Sequence, residues 1–308
     1  MCGFVVWYNK KNNVNSVKLE QAILLQKHRG PDFSSSIYFD KNYKKTKKKS
    51  DKIKIGFTHK RLSIIDLSNK SNQPFIGNDN RNCLVYNGEI YNYLELKNLF
   101  KDQKIVSTGD TEILYNILLK HNENFMNELI GMWAFVFFIF DRKQLIFSRD
   151  RVGQKPLYFY NDEDNLIISS EAKSIFFILH GSGKRKVNDN YLLNFFNTGR
   201  LSQVIPFYKY IKKVAPGGVA TYDLNNNKLH YFQKSFESLT NKNLINYNEN
   251  DLENELNSSV KMCLRSDRKT AVLLSGGIDS SLISCIAKNF SSNLNFYSLF
   301  SSNKNVKK

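Results

Sequence analysis

The apolar positions of this chain follow two different patterns. Over residues 1–234, short stretches rich in β-branched and aromatic residues alternate with a few segments of helical spacing. Strands are predicted at residues 3–8, 36–39, 53–59, 62–65 and 82–86, and again at 157–160 and 166–169. Residues 131–141 and 143–148 pair naturally as a hairpin, and a last hairpin is expected within 219–232 around Asn225-Asn226-Asn227. Helical spacing predicts a helix over 16–27, capped by Ser16, with Leu19, Ile23 and Gln26 on one face. Further helices are expected at 93–100, 110–121, 171–179 and 190–197. The longest apolar run, 132–140, reads as a buried strand. Many antiparallel strands with few helices predict two stacked sheets with helices outside.

Residues 235–248 are polar and unpatterned, which predicts a linker. Beyond them, 249–264 reads as a helix with Leu252, Leu256, Val260 and Cys263 on one face. Residues 270–274 form an apolar strand of the kind buried in a parallel sheet. A glycine turn, a helix at 280–289 and a strand at 295–300 complete a βαβ unit. A second domain of α/β class is therefore expected over 249–308.

A chain of 308 residues is comfortable for two domains, and at 41% hydrophobic and 24% charged its composition is ordinary for a globular protein. No apolar run approaches the roughly 20 residues of a membrane span, and the start lacks a basic segment followed by an apolar core. Neither a membrane nor a secretory signal is expected. Cys2, Cys83, Cys263 and Cys285 are scattered without a CxxC pair, and the histidines lack metal-ligand spacing. That predicts a reducing, cytoplasmic setting. The net charge of +17 invites a nucleic-acid partner. Much of the excess lies in residues 41–54, where Lys44, Lys45, Lys47, Lys48 and Lys49 crowd together beside Tyr43. That run reads as a solvated hairpin loop, so no nucleic-acid binding is expected.

Candidate chemistry gathers at three places. Cys2 follows Met1, and so small a second residue predicts removal of Met1 by an aminopeptidase. Cys2 would then carry a thiol and a free α-amine, a nucleophile with its base attached. The amine, with an ordinary pKa of about 7.7–8.0, could take the thiol proton and return it to a leaving group. A small apolar residue that merely opens a strand suits the same stretch. Asn87-Gly88-Glu89 ends the predicted strand 82–86 abruptly, which a hairpin turn would also satisfy. The third place is Ser275-Gly276-Gly277-Ile278-Asp279-Ser280, between the apolar strand and the helix. Its glycines permit close backbone approach, the helix start presents N–H groups suited to phosphate, and Ser275 and Ser280 add hydroxyls. Asp279 would repel a bare phosphate, so it implies a bound Mg²⁺ or a cap. An ordinary βα turn capped by Asp279 or Ser280 is the alternative.

Taken together, these motifs resemble a family. SGGIDSS is similar to the pyrophosphate-binding loop of ATP pyrophosphatases, and a Cys-Gly start far ahead of such a loop is the arrangement of glutamine-hydrolysing asparagine synthetases. KHRGPD (27–32), HKRLSIID (59–66), NGEIYN (87–92), GDTE (109–112), RDRVGQKPLY (149–158) and SSEAKS (169–174) resemble that family in order. The resemblance implies an α+β fold: an αββα class II glutamine amidotransferase domain of the N-terminal-nucleophile type over 1–234, then a linker at 235–248. The start of a parallel-sheet ATP-pyrophosphatase domain would follow over 249–308.

Cys2, as thiolate, would attack the side-chain amide of glutamine. The Asn87 side-chain N–H and the Gly88 backbone N–H resemble the family's oxyanion hole, where one donor is typically worth about 2.7–4 kcal/mol. Arg61 resembles the residue that holds the glutamine α-carboxylate, and Glu89 and Asp110 resemble the pair that receives its α-ammonium. Leu62, Ser63, Ile64 and Ile65 would line the pocket through backbone groups, and Arg29 and Asp32 are expected to be mainly structural.

In the second domain the resemblance implies ATP, with Mg²⁺, and aspartate as substrates. An aspartyl-adenylate would form, pyrophosphate would leave, and ammonia from the first site would arrive through an internal tunnel. Leu273 resembles an adenosine contact. Ser275, Gly276, Gly277, Asp279 and Ser280 resemble the phosphate cradle, with Asp279 reaching Mg²⁺ through phosphate. Other implied partners are a second copy in a homodimer and, in related polysaccharide or antibiotic pathways, another carboxylate acceptor. Lys27, Thr58 and Trp133 depart from the residues usual in the family but touch no implied catalytic role. Family members continue well past the equivalent of Lys308, so glutamine hydrolysis is expected of this chain and asparagine synthesis by it alone is not. A non-catalytic binding module is the rival of another class, and the joint presence of Cys2, Arg61, Asn87, Glu89 and Asp110 argues against it.

Overall fold

A computed structural model of the chain describes residues 1–46, 52–77, 80–179, 183–202, 205–233 and 248–299. It divides into two units, Met1–Asn241 and Lys242–Lys308. Lys47, Lys48 and Lys49, the expected linker apart from its last residue, and Phe300 at the end of the last predicted strand lie outside the described residues.

The first unit is built around central strands, such as Gly3–Asn9 and Gly131–Ile139, whose two faces are both apolar. β1 (Gly3–Asn9), β2 (Phe33–Asp40), β3 (Lys45–Thr46) and β4 (Ile53–Arg61) join β9 (Tyr158–Asn161), β10 (Asn165–Ser169) and β11 (Lys212–Lys213) in a seven-stranded sheet. Its order is β11-β9-β10-β1-β4-β2-β3. β5 (Phe75–Ile76), β6 (Cys83–Ile90), β7 (Gly131–Ile139), β8 (Gln144–Arg149), β12 (Gly218–Asp223) and β13 (Lys228–Gln233) form the second sheet. Its order is β13-β12-β8-β7-β6-β5, and pairing in both sheets is antiparallel.

Successive side chains of a strand point to opposite faces. Phe4, Val6 and Tyr8 of β1 therefore meet Ala134, Val136 and Phe138 of β7 in the core between the sheets. Val5 and Trp7 point outward and pack with Leu19, Ala22 and Ile23 of α1 (Ser16–Leu24) and Ile175 of α4 (Ala172–Ile178). On the other side, Trp133, Phe135 and Phe137 meet Ile113, Leu114 and Ile117 of α3 (Asp110–His121). The layers run helix, sheet, sheet, helix, and because both sheets are covered on both faces, residues 132–140 read as continuous rather than alternating.

Several local expectations are corrected. Asn15 caps α1, its side chain accepting from Lys18 N–H at 2.9 Å, and Ser16 is the first helical residue. The expected helix 93–100 is α2 (Tyr93–Lys97) followed by a 3₁₀ turn, and α5 spans Asp189–Thr198. Residues 62–65 form no strand, because their polar groups face side chains: Ser63 N–H donates to Asp32 Oδ2 at 2.8 Å, and Arg61 takes the carbonyl of Ile65. β6 does not stop at Asn87-Gly88. It runs on to Ile90, with Gly88 opposite Trp133 of β7. A Cβ on Gly88 would sit 2.1 Å from Met132 O, so the glycine serves the close approach of β6 and β7.

The second unit contains α6 (Glu249–Cys263), β14 (Ala271–Leu273), α7 (Ile278–Phe290) and β15 (Asn295–Tyr297), with β14 and β15 parallel. Asn248 and Asp251 close a capping box on α6. A small core of Val260, Ile286 and Ala287 gathers Leu256, Leu264, Val272 and Leu294. The buried face of α6 thus runs through Leu256, Val260 and Leu264, while Leu252 and Cys263 are exposed. The strand expected to be buried is open: Leu273 is 78% exposed, because β14 has β15 alone beside it among the described residues. α7 starts at Ile278 with Gly277 as its N-cap, so neither Asp279 nor Ser280 caps it.

Candidate active site

Cys2 stands at the entrance to β1, and the pairing of Gly3 with Lys60 brings it against the residues that follow β4. Leu62 N–H donates to Cys2 Sγ at 3.4 Å, and the thiol lies 3.6 Å from Leu62 O. Arg29, in the turn after α1, donates from Nε to Cys2 O at 2.8 Å and pairs with Glu171 at 3.2 Å. Gln26 donates to Ser169 Oγ and Ser174 Oγ, both at 2.8 Å, so that turn packs tightly on the chain start. Gly30 has its Cβ position 2.3 Å from the Lys60 carbonyl, which only glycine permits.

A cavity opens beside the sulfur. Cys2, Arg61, Leu62, Ile64, Ile65, Asn87, Gly88, Glu89 and Asp110 line it, with Met1, Gln73, Tyr86, Thr111 and Lys155. Ser63 is absent from this lining, its N–H directed to Asp32 instead. Asn87 is buried, and neither its Nδ2 nor its Oδ1 has a hydrogen-bond partner among the described residues. A buried amide with both ends unpaired is an uncommon and costly state. Asp110 accepts from Tyr86 OH and from Ile90 N–H, each at 3.0 Å. Arg61 is not a free fork. One terminal nitrogen donates to Ser68 O and Asn72 Oδ1, each at 2.8 Å, and the other to the carbonyls of Ile65 and Asp66. What Arg61 lends the cavity is chiefly fixed positive charge.

The electrostatics follow from burial with specific relief. Burial pushes the Cys2 thiol up, and Leu62 N–H, the terminal amine and Arg61 pull it back. The amine of Met1 is held below its ordinary value by burial first, then by Lys155 and Arg29. Burial also raises Glu89, with Asp110 adding to the effect. Asp110 is raised by burial against the pull of Ile90 N–H and Tyr86 OH. The ensemble combines a thiol, the Met1 amine ahead of it with depressed basicity, an unpaired amide donor and charges of both signs. Such a set can bind a zwitterion and cleave an amide on it.

Lys155, Tyr86, Gln73 and Thr111 were not singled out from the sequence. Lys155 and Thr111 lie inside the motifs RDRVGQKPLY and GDTE, where a polar residue is the available signal. His59 was likewise unassigned. It is fully buried, its Nε2 lies 3.1 Å from Tyr86 O, and its pKa is pushed down to about 3 by burial.

The loop of the second unit stands by itself. Ser275 Oγ lies 3.0 Å from Ser280 Oγ, which donates to Gly277 O at 3.0 Å. Gly276 has φ of 85° and open space around its Cβ position. Among the described residues no group of three His, Cys, Asp or Glu side chains is placed to hold a metal. Asp279, in the first turn of α7, thus does not build a magnesium site on its own and fits at most as one ligand of an ion carried by phosphate.

A four-layer αββα sandwich whose first strand begins beside a cysteine, with a cavity lined by that residue, has the fold of the N-terminal-nucleophile class. More particularly, the chain belongs to the glutamine amidotransferase domain family, whose model matches residues 1–233; the asparagine synthase model matches residues 251–305. It is 34% identical over 316 aligned residues to the putative asparagine synthetase (glutamine-hydrolyzing) 2 of Methanocaldococcus jannaschii, covering 94% of this chain and 57% of that protein. It is 30% identical to asparagine synthetase (glutamine-hydrolyzing) 1 of Bacillus subtilis, over 97% of this chain and 46% of that one. With the amidase chry2 of Gibberella zeae it shares 31% identity over 86% of its length and 38% of the relative's. The chain spans about half the length of these two asparagine synthetases. In fold it resembles the glutamine phosphoribosylpyrophosphate amidotransferase of B. subtilis, with a TM-score of 0.53 at 15% identity over 100% of this chain and 68% of that one. The described residues contain no helix long and apolar enough to cross a membrane.

Proposed function

We propose that the first unit hydrolyses glutamine to glutamate and ammonia, with Cys2 as nucleophile once Met1 is removed. The α-amine of Cys2 takes the thiol proton, and the thiolate attacks the side-chain carbonyl carbon. The oxyanion that forms accepts from Asn87 Nδ2–H and Gly88 N–H. The C–N bond then breaks, the amine's proton leaves with ammonia, and water hydrolyses the remaining thioester to glutamate. Glu89 and Asp110 receive the substrate's ammonium, and the charge of Arg61 faces its carboxylate. The observation that carries this reading is the buried, unpartnered amide of Asn87 in the same cavity as the Cys2 sulfur. The test is Cys2→Ala in a glutaminase assay. Loss of glutamate release with the fold retained is expected; hydrolysis that survives the substitution, or a purified active protein that still carries Met1, sinks the mechanism.

For the second unit the reading is nucleotide binding at Ser275, Gly276, Gly277, Asp279 and Ser280, with Leu273 beside the adenosine. Magnesium would enter with the phosphates. In a complete protein the ammonia would amidate an aspartyl-adenylate made from aspartate and ATP, which the asparagine synthase match supports. A second reading keeps the glutaminase and changes the carboxylate acceptor, and the similarity to the amidase chry2 favours keeping it in view. A reducing cytoplasm suits four cysteines that form no disulfide among the described residues.

A further inference from the structure

Lys155 is a charged residue of the cavity that the proposed hydrolysis does not use. It lies between β8 and β9, and its main chain is held from both sides. Its N–H donates to Asp150 Oδ2 at 2.9 Å, and its carbonyl accepts from Arg149 Nε at 2.6 Å. The same guanidinium donates to Val214 O at 2.9 Å, tying the turn to the strand region after β11. Gly153, with φ of 71°, has its Cβ position 2.9 Å from Arg149 Cζ, so the turn closes only around a glycine. The result is a preorganised backbone that delivers one lysine side chain, 8% exposed, to the wall of the cavity.

The charged groups around the nucleophile come from every element that meets there. They are the Met1 amine and Cys2 before β1, Arg29 after α1, Arg61 on β4, Glu89 on β6, Asp110 on α3, and Asp150 beside Lys155 itself. Most are already engaged. Arg29 holds Glu171, Arg61 holds loop carbonyls, Asp110 accepts from Tyr86 and Ile90, and Asp150 accepts from Gln154 and Lys155 N–H. Lys155 and Glu89 both line the cavity, and neither side chain makes a hydrogen bond or ion pair with another described residue.

We propose that Lys155 is a positioning residue of this site, its ammonium acting through charge on the amine and sulfur of the nucleophile. The inference rests on the reading of Cys2 as that nucleophile. A fixed cation beside an amine disfavours the ammonium form, and beside a thiol it favours the thiolate. Both effects work in the same direction, toward a free base and an ionised sulfur near neutral pH. With Met1 in place, Lys155 is among the groups that depress the Met1 amine, one residue ahead of Cys2, second to burial among the lowering influences. Glu89 and Cys2 in turn help keep the lysine charged against its own burial.

The experiment uses the full chain with Lys155→Met, Lys155→Gln and Lys155→Arg. Alkylation of Cys2 by iodoacetamide is followed by mass spectrometry from pH 5 to 9, alongside kcat/KM for glutamine hydrolysis. Both uncharged variants are expected to move the acid limb of each profile upward by on the order of one pH unit, about a tenfold loss of rate below the limb. Lys155→Arg is expected to stay near wild type, while all variants keep the wild-type unfolding temperature within a few degrees. Uncharged variants whose alkylation profiles superimpose on wild type would overturn the proposal, as would an Arg variant as defective as Met. Alkylation shifts in a protein that does not hydrolyse glutamine would defeat the proposed function and leave the role of Lys155 standing. Loss of hydrolysis in Cys2→Ala with unmoved Lys155 profiles would do the reverse.

Discussion

Asn87 pairs a loss of stability with a gain in chemistry, and the two can be separated by one substitution. Its amide is buried with both polar atoms unpaired, on a strand otherwise locked to β7 through Asn87–Ala134 and Gly88–Trp133. Leaving a buried polar group without a partner costs about 1–3 kcal/mol. Asn87→Leu keeps a side chain of similar shape and removes both unpaired atoms. We predict that it stabilises the first unit by about 1–2 kcal/mol, allowing for part of the penalty being relieved by the open cavity. In a domain of this size that corresponds to a rise in unfolding temperature of about 2–8 °C. The same change deletes one oxyanion donor, so kcat for glutamine hydrolysis is expected to fall by about 100- to 1,000-fold with KM little altered. Scanning calorimetry and a coupled glutamate assay on one preparation read both quantities. A protein that melts lower and hydrolyses glutamine at the wild-type rate would refute the reasoning on both counts, since Asn87 would then be a structural residue with a hidden partner.

Two further predictions concern charge. Asp110→Asn keeps an oxygen to accept from Tyr86 OH and Ile90 N–H, so the fold should survive. Losing a charged partner for the substrate ammonium is worth about 1.5–3 kcal/mol, which predicts a KM for glutamine raised roughly 10- to 100-fold with kcat nearly unchanged; an unaltered KM would remove Asp110 from substrate binding. His59, with its folded pKa pushed down to about 3 by burial, binds its proton in the unfolded chain near 6.5 and not in the folded one. Its contribution is therefore fully present above pH 6.5 and is lost as pH falls toward 3, at about 1.4 kcal/mol per pH unit. Urea unfolding of wild type and His59→Gln at pH 7, 6 and 5 should show the wild type losing stability more steeply; parallel curves would mean that His59 is protonated in the fold.

The parts legible in the sequence are those decided by nearest neighbours along the chain. The helix at 110–121 carries its own periodicity and its acidic first turn, and it forms with those bounds. The run 132–140 is apolar on both faces because each face meets a different layer, and that continuity alone distinguishes it from a solvent-facing strand. In the second unit the same logic overreached. Leu252 and Leu273 have the spacing of core residues, yet both are exposed, since apolar spacing reports what a segment can bury and not whether a neighbour is there.

The site shows a sharper version of that limit. Asn-Gly is the strongest short turn signal, and in isolation a hairpin is the better reading. Here the choice was made elsewhere in the chain. Met132 and Trp133 press against the space a Cβ on Gly88 would need, so the glycine that signals a turn instead lets two strands approach, and β6 continues through the motif. Because it continues, alternation fixes which way Asn87 and Glu89 face, and both line the cavity at Cys2. Residue types named the chemistry, whereas long-range backbone contacts set its geometry. Lys155 illustrates this, because nothing adjacent to it in sequence announces the cavity that Arg149 and Asp150 hold it against.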